Sequence, residues 1–200
     1  MMLVSRLKRM AAALSAYAAH PDPRSAVANT VALVIVSNQP FYPLYVYWAA
    51  SPVIAPSYLT FLSTPFFAAV PAAMRRSTLL GRALLLAAGI GNTLLCRAAF
   101  GSGSGVEAFL FPCLMLALML FRRSERGFAL GFTAFTFATY LLPATFLGGP
   151  IHLYEPDEYA ALQRLNFLSA ASLTVLIGWL FSRHLDTISC ADETNDVWGA

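Results

Sequence analysis

Charge is what this chain has least of. Charged side chains make up 12% of it, about half the roughly 25% of a soluble domain, and between Arg24 and Arg75 there are none. So long a run exceeds any single core element of a soluble domain, and it suffices for two bilayer crossings at about 20 apolar residues each. Dense basic runs are missing too, which removes nucleic acid from the partners to consider. The three cysteines, Cys96, Cys113 and Cys190, form no C-x-x-C pair and no disulfide framework. Cys96 and Cys113 read as small apolar packing residues, although their places on neighbouring apolar segments make a bridge conceivable.

Motifs that carry chemistry are also absent. There is no H-E-x-x-H, and the glycine-serine run at 101–105 contains neither G-x-S-x-G nor the G-x-S-G of rhomboid proteases. His20, His152 and His184 all fall outside the apolar segments, which argues against haem ligation or a histidine proton relay. His152, Glu155, Asp157 and Glu158 lack the ligand spacing of a cation site and read as a solvated turn. No catalysis, metal or cofactor is expected in this chain.

What the chain does have is apolar length. Hydrophobic residues make up 58% of it and the mean hydropathy is +0.63. Six apolar segments stand out, at about 26–49, 57–74, 78–98, 106–121, 128–147 and 165–181. Helices are the sensible element for them, because isolated strands would leave backbone groups unpaired in lipid. Barrel strands would be shorter and would alternate. Residues 1–24 read as an interfacial helix and linker. Arg6, Lys8 and Arg9 lie opposite Leu3, Val4, Leu7, Met10, Ala11 and Leu14 on a helical wheel, and Pro21 and Pro23 end the helix. A cleavable leader is the rival reading for this segment, but its alanine-rich apolar stretch is weak.

Basic residues set the expected orientation. With the amino terminus inside the cell, eleven of the 13 Lys and Arg residues fall on the cytoplasmic side, leaving Arg97 and Arg164 outside. The expectation is therefore an all-α, polytopic membrane helix bundle of six transmembrane helices over 25–183. Both termini are cytoplasmic, 184–200 is a short tail, and a bacterial inner membrane is the host. Pro65 precedes Arg75-Arg76-Ser77 by ten positions, and Pro112 precedes Arg122-Arg123-Ser124 by the same ten. The plainer account of this echo is that cytoplasmic helix ends recruit arginine.

Polar residues inside the spans are few, so each is informative. Asn38-Gln39-Pro40 interrupts the first span, with Pro43 one turn on, and Asn38, Tyr42 and Tyr45 share one helical face. Two readings compete for this group. One is a polar, aromatic ligand pocket opening outward. The other is interhelical hydrogen bonding beneath an interfacial belt of Tyr45, Tyr47 and Trp48. Asn92 and Asn166 lie at a similar depth and would converge with Asn38 in a compact bundle. Arg97 and Glu107 flank the glycine-rich turn, where they either pair to gate the mouth of the bundle or stay solvated.

Several short stretches together resemble a known family. These are Phe100-Gly-Ser-Gly-Ser-Gly-Val-Glu107, the span ending Leu120-Phe-Arg-Arg-Ser-Glu-Arg126, Arg164-Leu-Asn166 leading to Trp179-Leu-Phe-Ser-Arg183, and Tyr42-Pro-Leu-Tyr-Val-Tyr-Trp48. They are similar to the bacterial six-helix sensory modules that precede class III adenylate cyclase domains and certain quorum-sensing histidine kinases. The likeness covers most of 25–183 through short, loosely specified motifs. It departs from the family after Arg183, where about seventeen residues follow, too few for a folded output domain. The chain is then either a fragment or a free-standing module acting through a partner. The resemblance implies a non-enzymatic sensor that binds a small apolar ligand from the outer side and shifts helix packing. The last span would carry that shift to a cytoplasmic signalling enzyme in trans, and a homodimer fits such a device. Alternatives from other classes are a small transporter or permease subunit, and a non-catalytic membrane scaffold.

Overall fold

The computed structural model describes the backbone of residues 2–198 and the side chains of 5–183 apart from Leu7 and Ala144. The side chains of the tail, Cys190 among them, lie outside the described residues. Among the described residues every regular element is helical. Helix α1 (Met2–Ala18) stands off the bundle, and its described side chains from Ser5 to Ala16 are all exposed. Its end is tethered. The Tyr17 hydroxyl donates to the Ala68 carbonyl at 3.1 Å, and the Arg75 guanidinium lies over the Tyr17 ring at 4.7 Å.

Helix α2 (Pro23–Asn38) starts on a well-formed cap. Asp22 Oδ2 accepts the Ser25 N–H, and Pro23 occupies the first turn, where its missing N–H costs nothing. At the other end Pro40 has no N–H to give the Val36 carbonyl. The helix tightens into a 3-10 turn at Gln39–Phe41 and resumes as α3 (Tyr42–Ala49). A 3-10 stretch, Ala55–Ser63, leads into α4 (Thr64–Arg76). The single residue Ser77 then reverses the chain into α5 (Thr78–Phe100). That reversal works because Gly81 sits against Met74, where an added Cβ would come within 2.8 Å of the Met74 backbone nitrogen.

Helix α6 (Leu110–Leu120) follows the glycine-serine loop, α7 (Arg126–Leu141) follows a turn at Arg123–Glu125, and α8 runs Pro156–Trp198. Among the described residues three helical stretches are long and apolar enough to cross a membrane: Ala55–Arg76, Thr78–Phe100 and Pro156–Arg183. Val106–Leu120 is a shorter apolar helix. The expected fifth segment, 128–147, is broken, because the helix stops at Leu141 ahead of Pro143. The expected connection 148–164 is also shorter. Pro156, Asp157 and Glu158 form the first turn of α8, and Glu158 accepts the Glu155 N–H at 2.9 Å.

Two apolar clusters divide the interior. One, near the arginine-rich ends of α4 and α6, packs Val31, Phe67, Met74, Leu85, Leu120 and Phe181. The other, under the glycine-serine loop, packs Val46, Cys96, Phe100, Tyr154 and Leu162. The outside is apolar as well. On α7 the two buried residues are Thr136 and Thr139, while Phe128, Leu130, Phe135 and Phe137 are exposed. A soluble helix has the reverse arrangement.

Candidate functional site: a cavity at the break in the first helix

Between the two clusters lies a cavity of about 740 Å³, within the roughly 300–1,000 Å³ of small-molecule sites. Helical spacing builds its walls. On α5, Leu85, Gly89, Asn92, Thr93 and Cys96 form one stripe, and on α8 Leu165, Leu168, Ser169, Ser172, Leu173 and Leu176 form another. Leu85 and Cys96 are eleven positions apart, so the space extends roughly 16 Å along the bundle at 1.5 Å per residue. The third wall is the α2–α3 break, with Ile35, Asn38, Gln39, Tyr42 and Tyr45. Among the described residues no charged one lines it.

The structure gathers five of the eight residues singled out above into the lining of this cavity: Asn38, Gln39, Tyr42 and Tyr45 at the helix break and Asn92 on α5. Gln39 is buried and fully occupied. It donates to the Thr60 carbonyl at 3.0 Å and to Ser63 Oγ at 2.7 Å, and it accepts from Thr64 Oγ1 at 2.8 Å. It therefore pins the broken helix to the 3-10 stretch. Asn38 accepts the Tyr45 hydroxyl at 3.3 Å through Oδ1, and Asn92 Oδ1 lies 2.8 Å from Ser63 Oγ, whose single proton it shares with the Thr60 carbonyl at 2.7 Å. Their amide N–H groups remain as donors for a guest. Cys96 on α5 and Cys113 on α6 are free thiols in the lining, and Cys113 faces Gly89.

Asn166 stands behind the wall. It accepts the Tyr42 hydroxyl at 2.9 Å and donates to the Ser104 carbonyl at 2.9 Å, which joins the first helix, the glycine-serine loop and α8. Arg97 and Glu107 form an ion pair at 3.0 Å, and Arg97 also donates to the Thr139 carbonyl of α7 at 3.1 Å. Neither lines the cavity. The pair braces α5, α7 and the loop, away from the opening. His152 packs edge-on against Tyr154 at 4.8 Å, and among the described residues no three His, Cys, Asp or Glu side chains converge as metal ligands.

A second constellation was invisible in the sequence. Arg82, one of the eleven basic residues expected on the cytoplasmic side, is wholly buried. Its guanidinium forks between Asp22 at 2.6 Å and Glu125 at 2.9 Å, and Arg122 adds a further bond to Asp22 at 3.0 Å. Burial alone would raise the Asp22 carboxyl, but hydrogen bonds from Ser25, Arg122 and Arg82 and the Arg82 charge hold it well below the carboxylate range. The network locks together the starts of α2 and α5 and the α6–α7 turn. Its partners lie 60 and 43 positions from Arg82, so no local pattern announces it.

Compared with protein-family models, curated proteins and solved structures, the chain matches none.

Proposed function

We propose that this chain is an integral membrane sensor module. Its six apolar segments would form the bundle, with both termini cytoplasmic and the arginine-rich ends inside. A small uncharged ligand occupies the cavity, its apolar body against the leucine stripes and an acceptor oxygen facing Asn38 or Asn92. The observation that carries this reading is an uncharged cavity one of whose walls is α8. That helix is anchored at its start by Tyr159, Gln163 and Asn166, which donate to the Phe100, Gly103 and Ser104 carbonyls. Farther along, Ile177 and Phe181 join the apolar cluster and Gly178 faces Met115. A guest that changes the packing of Ser172, Leu173 and Leu176 then moves the far end of α8 about a fixed near end, biasing a cytoplasmic partner.

The test is binding and response in lipid nanodiscs. Purified protein is exposed to a solvent extract of the cells that make it, and bound small molecules are read by native mass spectrometry. Wild type retains a ligand, and Asn92→Leu binds it about tenfold more weakly, the worth of one hydrogen bond of about 1.4 kcal/mol. Equal retention by Asn92→Leu defeats the assignment. Protein-dependent solute flux across vesicles, abolished by Asn38→Leu, would replace the sensor with a transporter.

A further inference from the structure

The cavity opens on the flank of the bundle and is closed along its axis. Toward the glycine-serine loop it is capped by the Val46, Phe100 and Leu162 cluster and by the Tyr42–Asn166–Ser104 chain of hydrogen bonds. Toward the arginine-rich end it is capped by Met74, Leu120 and Phe181, with the Arg82 network beyond. The lining residues that are themselves exposed all sit on two neighbouring edges. Val34, Ser37, Asn38 and Phe41 belong to the helix break, and Leu168 and Ser172 belong to α8. Phe41 is 52% exposed and Leu168 64%. Both edges lie far from the ends of their helical stretches, Pro23–Ala49 and Pro156–Arg183. At that depth a bilayer presents hydrocarbon, not water. The outer faces beside the opening, Leu44, Phe167 and Val175, are exposed and apolar, as a lipid-facing surface must be.

From this geometry we infer that the gap between the helix break and α8 is a lateral portal, through which an uncharged, membrane-dissolved molecule enters from the bilayer core. The portal rests on the membrane reading above and names the route to the same site. Pro40 and Pro43 give it a physical basis. Without their N–H groups the helix tightens into the 3-10 turn Gln39–Phe41, and polar Asn38 lies exposed at the threshold. The absence of charge in the lining fits this route, since a charged guest would not partition into the hydrocarbon it must cross.

The probe is 3-trifluoromethyl-3-phenyldiazirine, a neutral carbene precursor, added to phosphatidylcholine vesicles holding the full chain. After photolysis, labelled peptides are mapped by mass spectrometry. The inner wall at Leu85, Gly89 and Leu116 is labelled in wild type. Ser172→Trp and Leu168→Trp, which fill the portal, each lower that labelling about fivefold or more. Val175→Trp, on the same helix but outside the lining, leaves it unchanged, and Phe41→Ala raises it. Lipid-facing Leu130 on α7 is labelled equally throughout, which reports an intact fold. If the tryptophan variants label the inner wall as wild type does, and a sulfonated, water-confined diazirine reaches the same residues, the route is aqueous: the portal falls and the cavity stands. If neither reagent labels the inner wall of wild type, the portal and the ligand-site reading fall together.

Discussion

At the scale of single residues, Arg82 shows how position changes meaning. In the sequence it counts with Arg75 and Arg76 among the basic residues expected on the cytoplasmic side. In the structure those two are exposed while Arg82 is wholly buried. A planar guanidinium holds its N–H donors in a fixed fork that fits two carboxylates at once, whereas a lysine ammonium is a compact point charge without that geometry. Arg82→Ala is therefore expected to cost about 3 kcal/mol, since it leaves Asp22 and Glu125 without their shared partner. Arg122→Ala should cost under about 1 kcal/mol, its side chain being 55% exposed. Thermal unfolding in detergent at pH 7 separates the two. Acid supplies the sign. The folded Asp22 carboxyl is held below its unfolded value, so its contribution is complete above about pH 4 and is lost as the pH falls toward the lowered value. Asp22→Asn should flatten that acid dependence.

At the scale of elements, the α4–α5 hairpin depends on close approach. Gly81→Ala places a Cβ about 2.5 Å from Met74 Cγ and 2.8 Å from its backbone nitrogen, and overpacking of that kind costs about 1–3 kcal/mol. Gly91→Ala on the same helix meets nothing within 4 Å and gains up to about 1 kcal/mol in helix propensity. A melting temperature lowered by the first and kept or raised by the second checks the contact. The turn between α4 and α5 was legible, because Arg75-Arg76-Ser77 interrupts the hydropathy. The end of α7 was not. Apolar residues continue to Leu147, and hydropathy does not register that Pro143 lacks the N–H a continuing helix needs. The polarity of α7 was hidden for a similar reason: apolar residues surround its threonines in the sequence, so only packing shows that Thr136 and Thr139 face inward.

At the scale of the whole molecule, the described residues contain three helical stretches long and apolar enough to span a membrane, against six apolar segments in the sequence. The broken first helix and the shorter α6 and α7 account for the difference. In a Cys190→Ser background, cysteines placed at Ser77 and Ser124 should react with an impermeant maleimide only in inside-out vesicles. Cysteines at Ser102 and Gly149 should react only in right-side-out ones. Labelling of Ser124 together with Ser102 would overturn the six-span topology.

Local chemistry was enough to show a helical chain rich in lipid-compatible surface, the clustering of its arginines between apolar segments, and the proline break that makes Asn38, Gln39, Tyr42 and Tyr45 unusual. Those signals are compositional or periodic, so they survive without knowledge of neighbours. Folding decided the rest. It made Asn38 and Asn92 neighbours of one cavity and placed Asn166 behind it. It turned Arg97 and Glu107 into a brace away from the opening, and it drew Asp22 and Glu125 around Arg82. Each of these depends on residues far apart in sequence meeting across helix faces, and pairing at that range is set by packing, which no local pattern encodes.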